Sequence, residues 1–414
     1  MADEKGADEK GADKKGADEK GAALTGLKVL DCTHVIAGAY CSMLLADLGA
    51  DVVKIEPPAG ETTRGHPGAA FRAYDFVNRN KRAIALDLTT EKGAAALRKL
   101  AETADVFVEN YRPGSLDRMG LGYAQLSKRN PRLVYCSVSG FGLDGPYRDR
   151  GGFDLIAQGM SGIMSFTGEQ GSDTPCAAGV PLADLSAGVF AALGVLAALQ
   201  SRHATGKGQH VEASLLESAL AYTIWESGLF LTTGEVATRK GTRHRLAAPY
   251  EALKTADGHM VVGVNNQRLW ARFCEALGEP GLAQEEGFDR PNRRVKNRDA
   301  LQVRIEAILA HDTTAGWMAK LEAKGVPAGP LNTIAQAWDD PQVKARGLLA
   351  EVAGRRFVRT PIKLHGTPVA LRAGPAEVGE HTREVLFEAG FSPDEIEALI
   401  AEGAAADERK ESAQ

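Results

Sequence analysis

Cysteine is scarce and unpatterned: the five thiols, Cys32, Cys41, Cys136, Cys176 and Cys274, are odd in number and no two form a CxxC pair. This excludes a disulfide framework and a zinc site, leaves no metal ligands to name, and predicts buried, reduced thiols in a cytoplasmic protein. No charge of one sign dominates, since 49 Lys and Arg against 54 Asp and Glu leave a net charge of −5. Neither a nucleic-acid groove nor an anionic membrane surface is implied as partner. The chain shows no run of ~20 apolar residues and no signal-peptide pattern, so the sequence predicts neither a membrane span nor secretion. No GxGxxG follows the first strand, which removes the motif that would argue for NAD or FAD.

What is present is an alternation. From Leu27, LKVLD is a strand, a helical stripe of Tyr40, Met43, Leu44 and Leu48 runs to Gly49, and DVVKIE is the next strand. This βαβ unit repeats through a helix near Lys92 to Thr103 into DVFVEN, and another near Tyr123 to Lys128 into RLVYCSVSG. The pattern predicts an α/β fold with a parallel sheet covered by helices, of the nucleotide-binding kind. Residues 1–22, a GADEK-like repeat with almost no large apolar side chain, cannot offset their ordering entropy and read as low-complexity. The large domain then runs over 23–230, and a smaller domain over 231–345 opens with a basic loop, a strand, a turn at Ala256 to Gly258, a strand and a helix. A helical return segment covers 346–402, with a loose tail over 403–414.

Within GVPLADLSAGVFAALG, over 179–194, one acid stands between an apolar run and a helix. On these residues alone Asp184 reads as an N-cap of the helix beginning at Leu185, worth about 0.5–2 kcal/mol.

The blocks LDCTHVIAGAYCSMLLADLGADVVKIEPP, NRNKRAIALDL, DVFVENYRPGSLDRMGLGY, GVPLADLSAG, TGKGQHVEASLLES, GVPAGPLNT and GEHTREVL, in this order from about Leu27 to Ile400, resemble the family III CoA-transferases, which include formyl-CoA transferase and carnitine CoA-transferase. The resemblance implies a Rossmann-like large domain completed by the C-terminal helices, a smaller α+β domain inserted between, and an interlocked homodimer. It implies an enzyme that moves CoA from an acyl-CoA donor to a carboxylic acid, with CoA as substrate and no tightly bound cofactor. It places Asp184 at the family's catalytic aspartate. A carboxylate there attacks the thioester to give a mixed anhydride, the CoA thiolate returns to give an enzyme thioester, and the incoming acid takes over the CoA. Partial desolvation by Val180, Leu182 and Ala183 sharpens such a nucleophile.

Block by block, the resemblance puts Val35, Ile36 and Ala37 at the CoA-binding turn after the first strand, with Ile36 where formyl-CoA transferase has a glutamine. Asn110, Tyr111, Arg112 and Arg118 fall on CoA-lining positions, where a guanidinium suits phosphate. Leu86, Asp87 and Leu88 match another CoA-lining strand end, although packing serves the two leucines equally well. Phe153 and Asp154 fall on a tyrosine and a glutamate facing the catalytic aspartate. Two carboxylates so close push apart in pKa, and this reading gives the proton to Asp154 and the charge to Asp184, against the alternative that Asp154 is a helix cap before LIAQGM. Where formyl-CoA transferase has a glycine-rich loop, this chain has Arg243, His244 and Arg245. These cations suggest a second substrate carboxylate, as in succinyl-CoA or another dicarboxylyl-CoA, against the alternative of a solvated basic loop.

Two other readings stay open. The α-methylacyl-CoA racemases share the pattern but move a proton through a histidine; here Phe153 stands at that histidine and Asn266 at a later glutamate, so the sequence offers no imidazole to the site. A non-catalytic CoA-binding scaffold on the same fold is the other.

Overall fold

The computed structural model of the protein describes residues 21–65 and 71–408. The GADEK repeat over 1–20 and the end of the tail over 409–414 lie outside the described residues. The chain divides into two compact units, the first holding residues up to 163, 178–228 and 347 onward, the second 164–177 and 229–346. The sequence reading runs the large domain unbroken to 230, whereas 164–177 sides with the second unit. Arg239 explains it: its guanidinium donates to the carbonyls of Met164, Thr167 and Ser172 at 3.2, 3.1 and 2.6 Å. Such long-range side-chain bonds leave no periodic trace in a sequence.

In the first unit the strands are β1 (Lys28–Cys32), β2 (Asp51–Glu56), β3 (Lys81–Leu86), β4 (Val106–Glu109), β5 (Val134–Ser139) and β6 (His210–Ser214). They are mutually parallel in the order β3-β2-β1-β4-β5-β6. The four inner strands are near-continuous runs of buried residues, as a sheet covered on both faces requires. The helices used below are α1 (Ala37–Asp47), α2 (Glu91–Ala101), α3 (Asp154–Met160) and α4 (Leu182–Thr205).

The return segment is built into this unit. Val385, Leu386, Ile396 and Leu399 join the core of Leu97, Leu100 and Phe107. The tail is not loose from 403: Ala405 and Ala406 pair antiparallel with Leu86 and Ala85, and Ala404 accepts the N–H of Asp87 at 2.9 Å. With His381 donating to the Ala83 carbonyl at 2.9 Å and Thr382 Oγ1 accepting the Ala85 N–H at 3.0 Å, the return segment covers the edge of β3.

The expected stripe on α1 understates its burial, because Cys41, Ser42, Leu45 and Ala46 are also inaccessible. α1 lies between the sheet and α4, and small residues let it be enclosed. A Cβ on Gly188 of α4 would come 2.7 Å from the Ala37 carbonyl and 3.0 Å from the Tyr40 ring. Contrary to the sequence reading, α4 is long and apolar enough to cross a membrane by length and composition. It is a core helix nonetheless, with Ala183, Ala187, Ala191, Val195 and Ala198 buried along one face.

A buried charge cluster braces the end of β1. Asp31 accepts from Ser42 Oγ (2.6 Å), Lys81 Nζ (2.8 Å) and the Thr33 hydroxyl (2.6 Å), with Lys54 Nζ 3.7 Å away. Burial favours its neutral form, but Lys54 and Lys81 override that and hold it well below the usual carboxylate range. Lys54 also donates to the Thr33 carbonyl and pairs with Glu61 at 3.5 Å. The turn that follows β1 is thereby held from beneath.

The second unit carries β7 (Tyr250–Lys254), β8 (His259–Gly263) and β9 (Ala328–Pro330) as one antiparallel sheet. Its separate core includes Leu253, Met260, Trp270, Phe273 and Leu321. Asn266 caps the helix Gln267–Ala276 by accepting the Leu269 N–H at 2.9 Å.

Candidate active site

In a doubly wound sheet the loops part where the strand order reverses, and a crevice opens at the carboxyl ends of the two strands there. In this order the reversal lies between β1 and β4. A cavity of about 270 Å³ occupies that place, bounded by the loops after β1, β4 and β5 and by the first turn of α4. Among its lining residues are Val35, Ile36, Ala37, Asn110, Tyr111, Arg112, Phe153, Asp154 and Asp184. One sheet edge thus brings together nine positions that lie up to 149 residues apart in sequence.

The two loops at the reversal are clamped to each other. His34 N–H donates to Asn110 Oδ1 and Asn110 Nδ2 donates to the His34 carbonyl, both at 2.7 Å. Asn110 therefore faces the cavity while its carboxamide is spent holding the walls. Val35, next along, has φ of 61°, a left-handed conformation that costs a β-branched residue about 1–3 kcal/mol. Ile36 is the N-cap of α1 and caps it with no side-chain bond.

On the opposite wall, Gly140 after β5 and Gly152 before α3 cross backbone to backbone, and a Cβ on Gly140 would lie 2.6 Å from Gly152 Cα. Only glycine permits this approach. It delivers Phe153 and Asp154 to the cavity.

Asp154 begins α3, yet its carboxylate caps a different helix. Oδ1 accepts the N–H groups of Ala183 (2.7 Å) and Asp184 (3.3 Å), two first-turn donors of α4. Oδ2 accepts Gln158 Nε2 at 2.7 Å. α4 starts at Leu182, with Pro181 at its N-cap, so Asp184 is a third-position residue and not the cap of a helix from Leu185. Asp154 thus accepts from three N–H groups, whereas burial, with the Asp154 charge second, pushes Asp184 up to about 6.

Several residues that line or order the cavity went unmarked in the sequence. His34, Arg148 and Arg150 line it, and His34 packs edge-on against Tyr111 at 4.9 Å with Nδ1 3.8 Å from Glu61. The site therefore does hold an imidazole, contrary to the sequence reading. Burial lowers its pKa. The place of His34 directly before Val35 was the available signal; the arginines had none.

Other carried-over residues lie elsewhere. Leu86 is buried in the core and Leu88 packs against it. Asp87 binds the N–H and hydroxyl of Thr89 at 2.9 and 2.6 Å, and Arg118 donates to Ser115 Oγ at 3.2 Å. In the second unit, Arg243 donates to Gln170 (2.6 Å), Asp299 (2.7 Å) and Gln302, and pairs with the buried Glu251 at 3.2 Å. His244 stacks on Tyr250 with ring centroids 4.7 Å apart, and Arg245 lies 3.8 Å from Glu235.

Comparison with known proteins shows the family. The family model described as CoA-transferase family III matches residues 24–382. A succinyl-CoA:glutarate CoA-transferase of Mus musculus is 37% identical over 391 residues, covering 92% of this chain and 89% of that protein. An acetyl-CoA:oxalate CoA-transferase of Acetobacter aceti is 38% identical over 345 residues, covering 82% and 89%. The crystal structure of a CAIB/BAIF family protein from Brucella suis superposes with a TM-score of 0.82 at 36% identity, covering 89% of this chain and all of that one.

Proposed function

The chain belongs to CoA-transferase family III and moves CoA between an acyl-CoA and a carboxylic acid, and on that premise we propose that Asp184 is the group that carries acyl and then CoA between the two. The observation that supports this is the half-buried Asp184 carboxylate at the cavity beside Asp154, whose own carboxylate caps the helix that carries it. A pKa of about 6 makes Asp184 more basic than an ordinary aspartate while leaving it largely ionised at neutrality, so no separate base is needed.

In the first step an Asp184 oxygen bonds to the thioester carbonyl carbon, the C–S bond breaks, and CoA leaves as thiolate. The thiolate then attacks the Asp184 carboxyl carbon of the anhydride, releasing the donor acid and leaving CoA on the enzyme as a thioester. The acceptor carboxylate attacks that carbon and expels thiolate again. Thiolate attack on the acceptor's acyl carbon gives the new acyl-CoA and restores Asp184. Each thioester replaces another, so the exchange is near isoenergetic and needs no nucleotide.

CoA enters with its phosphates toward the uncapped N-terminus of α1 and the guanidinium groups of Arg112, Arg148 and Arg150. At least one of the two acids is dicarboxylic. The names of the mouse and Acetobacter relatives pair succinyl-CoA with glutarate and acetyl-CoA with oxalate, so the acid written as acceptor is dicarboxylic in both. Arg243 contributes less to this than its sequence position suggests, because its donors are engaged within its own unit.

The functional form is a homodimer. Leu155, Ile156, Leu193, Ile224 and Trp225 of the first unit are exposed, Trp225 by 71%, and apolar exposure on this scale marks a surface that another chain covers. The protein is cytoplasmic and holds no tightly bound cofactor; its free cysteines, four of them buried, suit a reducing compartment.

The test is a panel of mono- and dicarboxylic acids with succinyl-CoA, read as new CoA esters by mass spectrometry. Wild type forms esters of diacids, and Asp184→Asn forms none beyond slow deamidation. Acid-quenched turnover should show CoA or acyl mass on the peptide carrying Asp184. Mass on another residue, or turnover by the variant, overturns the assignment.

A further inference from the structure

Gln158 belongs to none of the cavity walls, yet every polar atom of its side chain is engaged around the site. It stands four residues after Asp154, one helical turn along α3 on the same face, and is 1% exposed. Its Nε2 donates to Asp154 Oδ2 at 2.7 Å and to the Val180 carbonyl at 3.3 Å. Its Oε1 accepts the Ala178 N–H at 2.9 Å. One carboxamide thus holds the capping carboxylate and, at two points, the segment that leads into α4.

We propose that Gln158 is a positioning residue for the transfer reaction: its carboxamide ties Asp154 to residues 178–180 and so sets where the first turn of α4 presents Asp184. The inference rests on Asp184 being the nucleophile. Pro181, at the N-cap, offers no side-chain acceptor to that turn, so its orientation depends on Asp154, and the orientation of Asp154 depends on Gln158. A displacement of about 1 Å in a nucleophile lowers a rate by up to 100-fold.

The residue type is specific. A carboxylate of the same shape would meet Asp154 Oδ2 and the Val180 carbonyl with acceptors only, and would add a like charge beside the pair. A leucine of comparable bulk keeps the packing and loses all three bonds. An asparagine is one carbon too short to span them.

Two variants of the full-length protein test this, Gln158→Glu and Gln158→Leu, with kcat and KM for succinyl-CoA measured from pH 5 to 9. Gln158→Leu should lose about 10- to 100-fold in kcat with KM for succinyl-CoA within about 2-fold, because the CoA-lining loops after β1 and β4 are untouched. Gln158→Glu, the closer isostere, should shift the acid limb of the kcat/KM profile to higher pH, since the added negative charge disfavours ionisation of Asp184. A purely structural role would lower thermal stability and active-enzyme titre without moving that limb. Unchanged kcat in Gln158→Leu, or an unmoved limb in Gln158→Glu, overturns the inference. Should Gln158→Leu fail to fold, the limb in Gln158→Glu decides. If Asp184→Asn retains turnover, the nucleophile itself is wrong; an inactive Asp184→Asn beside unaffected Gln158 variants sinks only the positioning role.

Discussion

Asp154 accepts the backbone N–H of Asp184 at 3.3 Å and that of Ala183 at 2.7 Å, so one carboxylate of the cavity caps the helix that displays the other. The contact runs from side chain to backbone, which leaves the Asp184 carboxylate free of its neighbour's bonds but within reach of its charge. Burial and that charge together keep Asp184 near 6.

The pH dependence follows. The nucleophile must be ionised, so kcat/KM for the acyl-CoA should fall about tenfold per pH unit below a limb near 6. Asp154→Asn keeps an oxygen for the cap and removes the charge, which should move the limb down. A pH–rate profile of both proteins checks this, and a limb that rises in Asp154→Asn contradicts it.

The same shift makes a stability statement. Between 3.8 and about 6 the native state binds a proton that the unfolded chain has released, so Asp184 lowers stability as pH rises through that window. Asp184→Asn should therefore resist urea better than wild type at pH 7, by at most about 3 kcal/mol before solvent screening. The gain should vanish below pH 4. Urea titrations at the two pH values measure it.

Asn110 supplies both bonds of the clamp between the loops after β1 and β4. Asn110→Asp keeps the acceptor for His34 N–H but sets a carboxylate oxygen against the His34 carbonyl. KM for the acyl-CoA should rise by about tenfold, the effect of losing about 1.4 kcal/mol, with kcat changed less. Steady-state kinetics in both substrates distinguishes this from a general loss of activity.

Lys81 is buried and donates to Asp31 (2.8 Å), the Ala39 carbonyl (2.9 Å) and Asn78 (2.7 Å). Lys81→Met keeps its bulk and leaves Asp31 under-compensated in the core. The expected cost is about 3–5 kcal/mol in urea. Removing both charges with Asp31→Asn should recover part of it, as a double-mutant cycle would show.

Arg243 distinguishes two uses of the same cation. Its bonds to Gln170, Asp299 and Glu251 lie within the second unit, and Glu251, whose pKa burial already raises against Arg298 and Arg243, would lose its nearest counter-charge. Arg243→Ala should lower the thermal midpoint and leave the ratio of diacid to monoacid KM unchanged. A selective rise in diacid KM would return this arginine to the substrate.

Much of the fold is visible along the chain because sheet and helix periods are local. LKVLD, DVVKIE and RLVYCSVSG need only their own apolar runs to be recognised as strands, and Asp184 stands out as an acid beside such a run. The family pattern then marks Asn110, Tyr111, Arg112, Phe153 and Asp154, all of which meet at one cavity. The same pattern marks Leu86 and Arg118, which are not among the residues lining the cavity.

His34 and the place of 164–177 are defined by bonds to residues 67 to 76 positions distant, and Gln158, one helical turn from Asp154, gains its role from a bond to Ala178 20 positions on, none of which leaves a periodic signal. The raised pKa of Asp184 is of the same kind. Local chemistry makes both acids equal, and the inequality arises from which one the folded backbone feeds with N–H groups and which one it buries. The strand and helix runs and the family were written in the order of residues; the strand order, the clamp between the two loops and the raised pKa of Asp184 came from the packing, because desolvation and hydrogen-bond geometry exist only once distant segments touch.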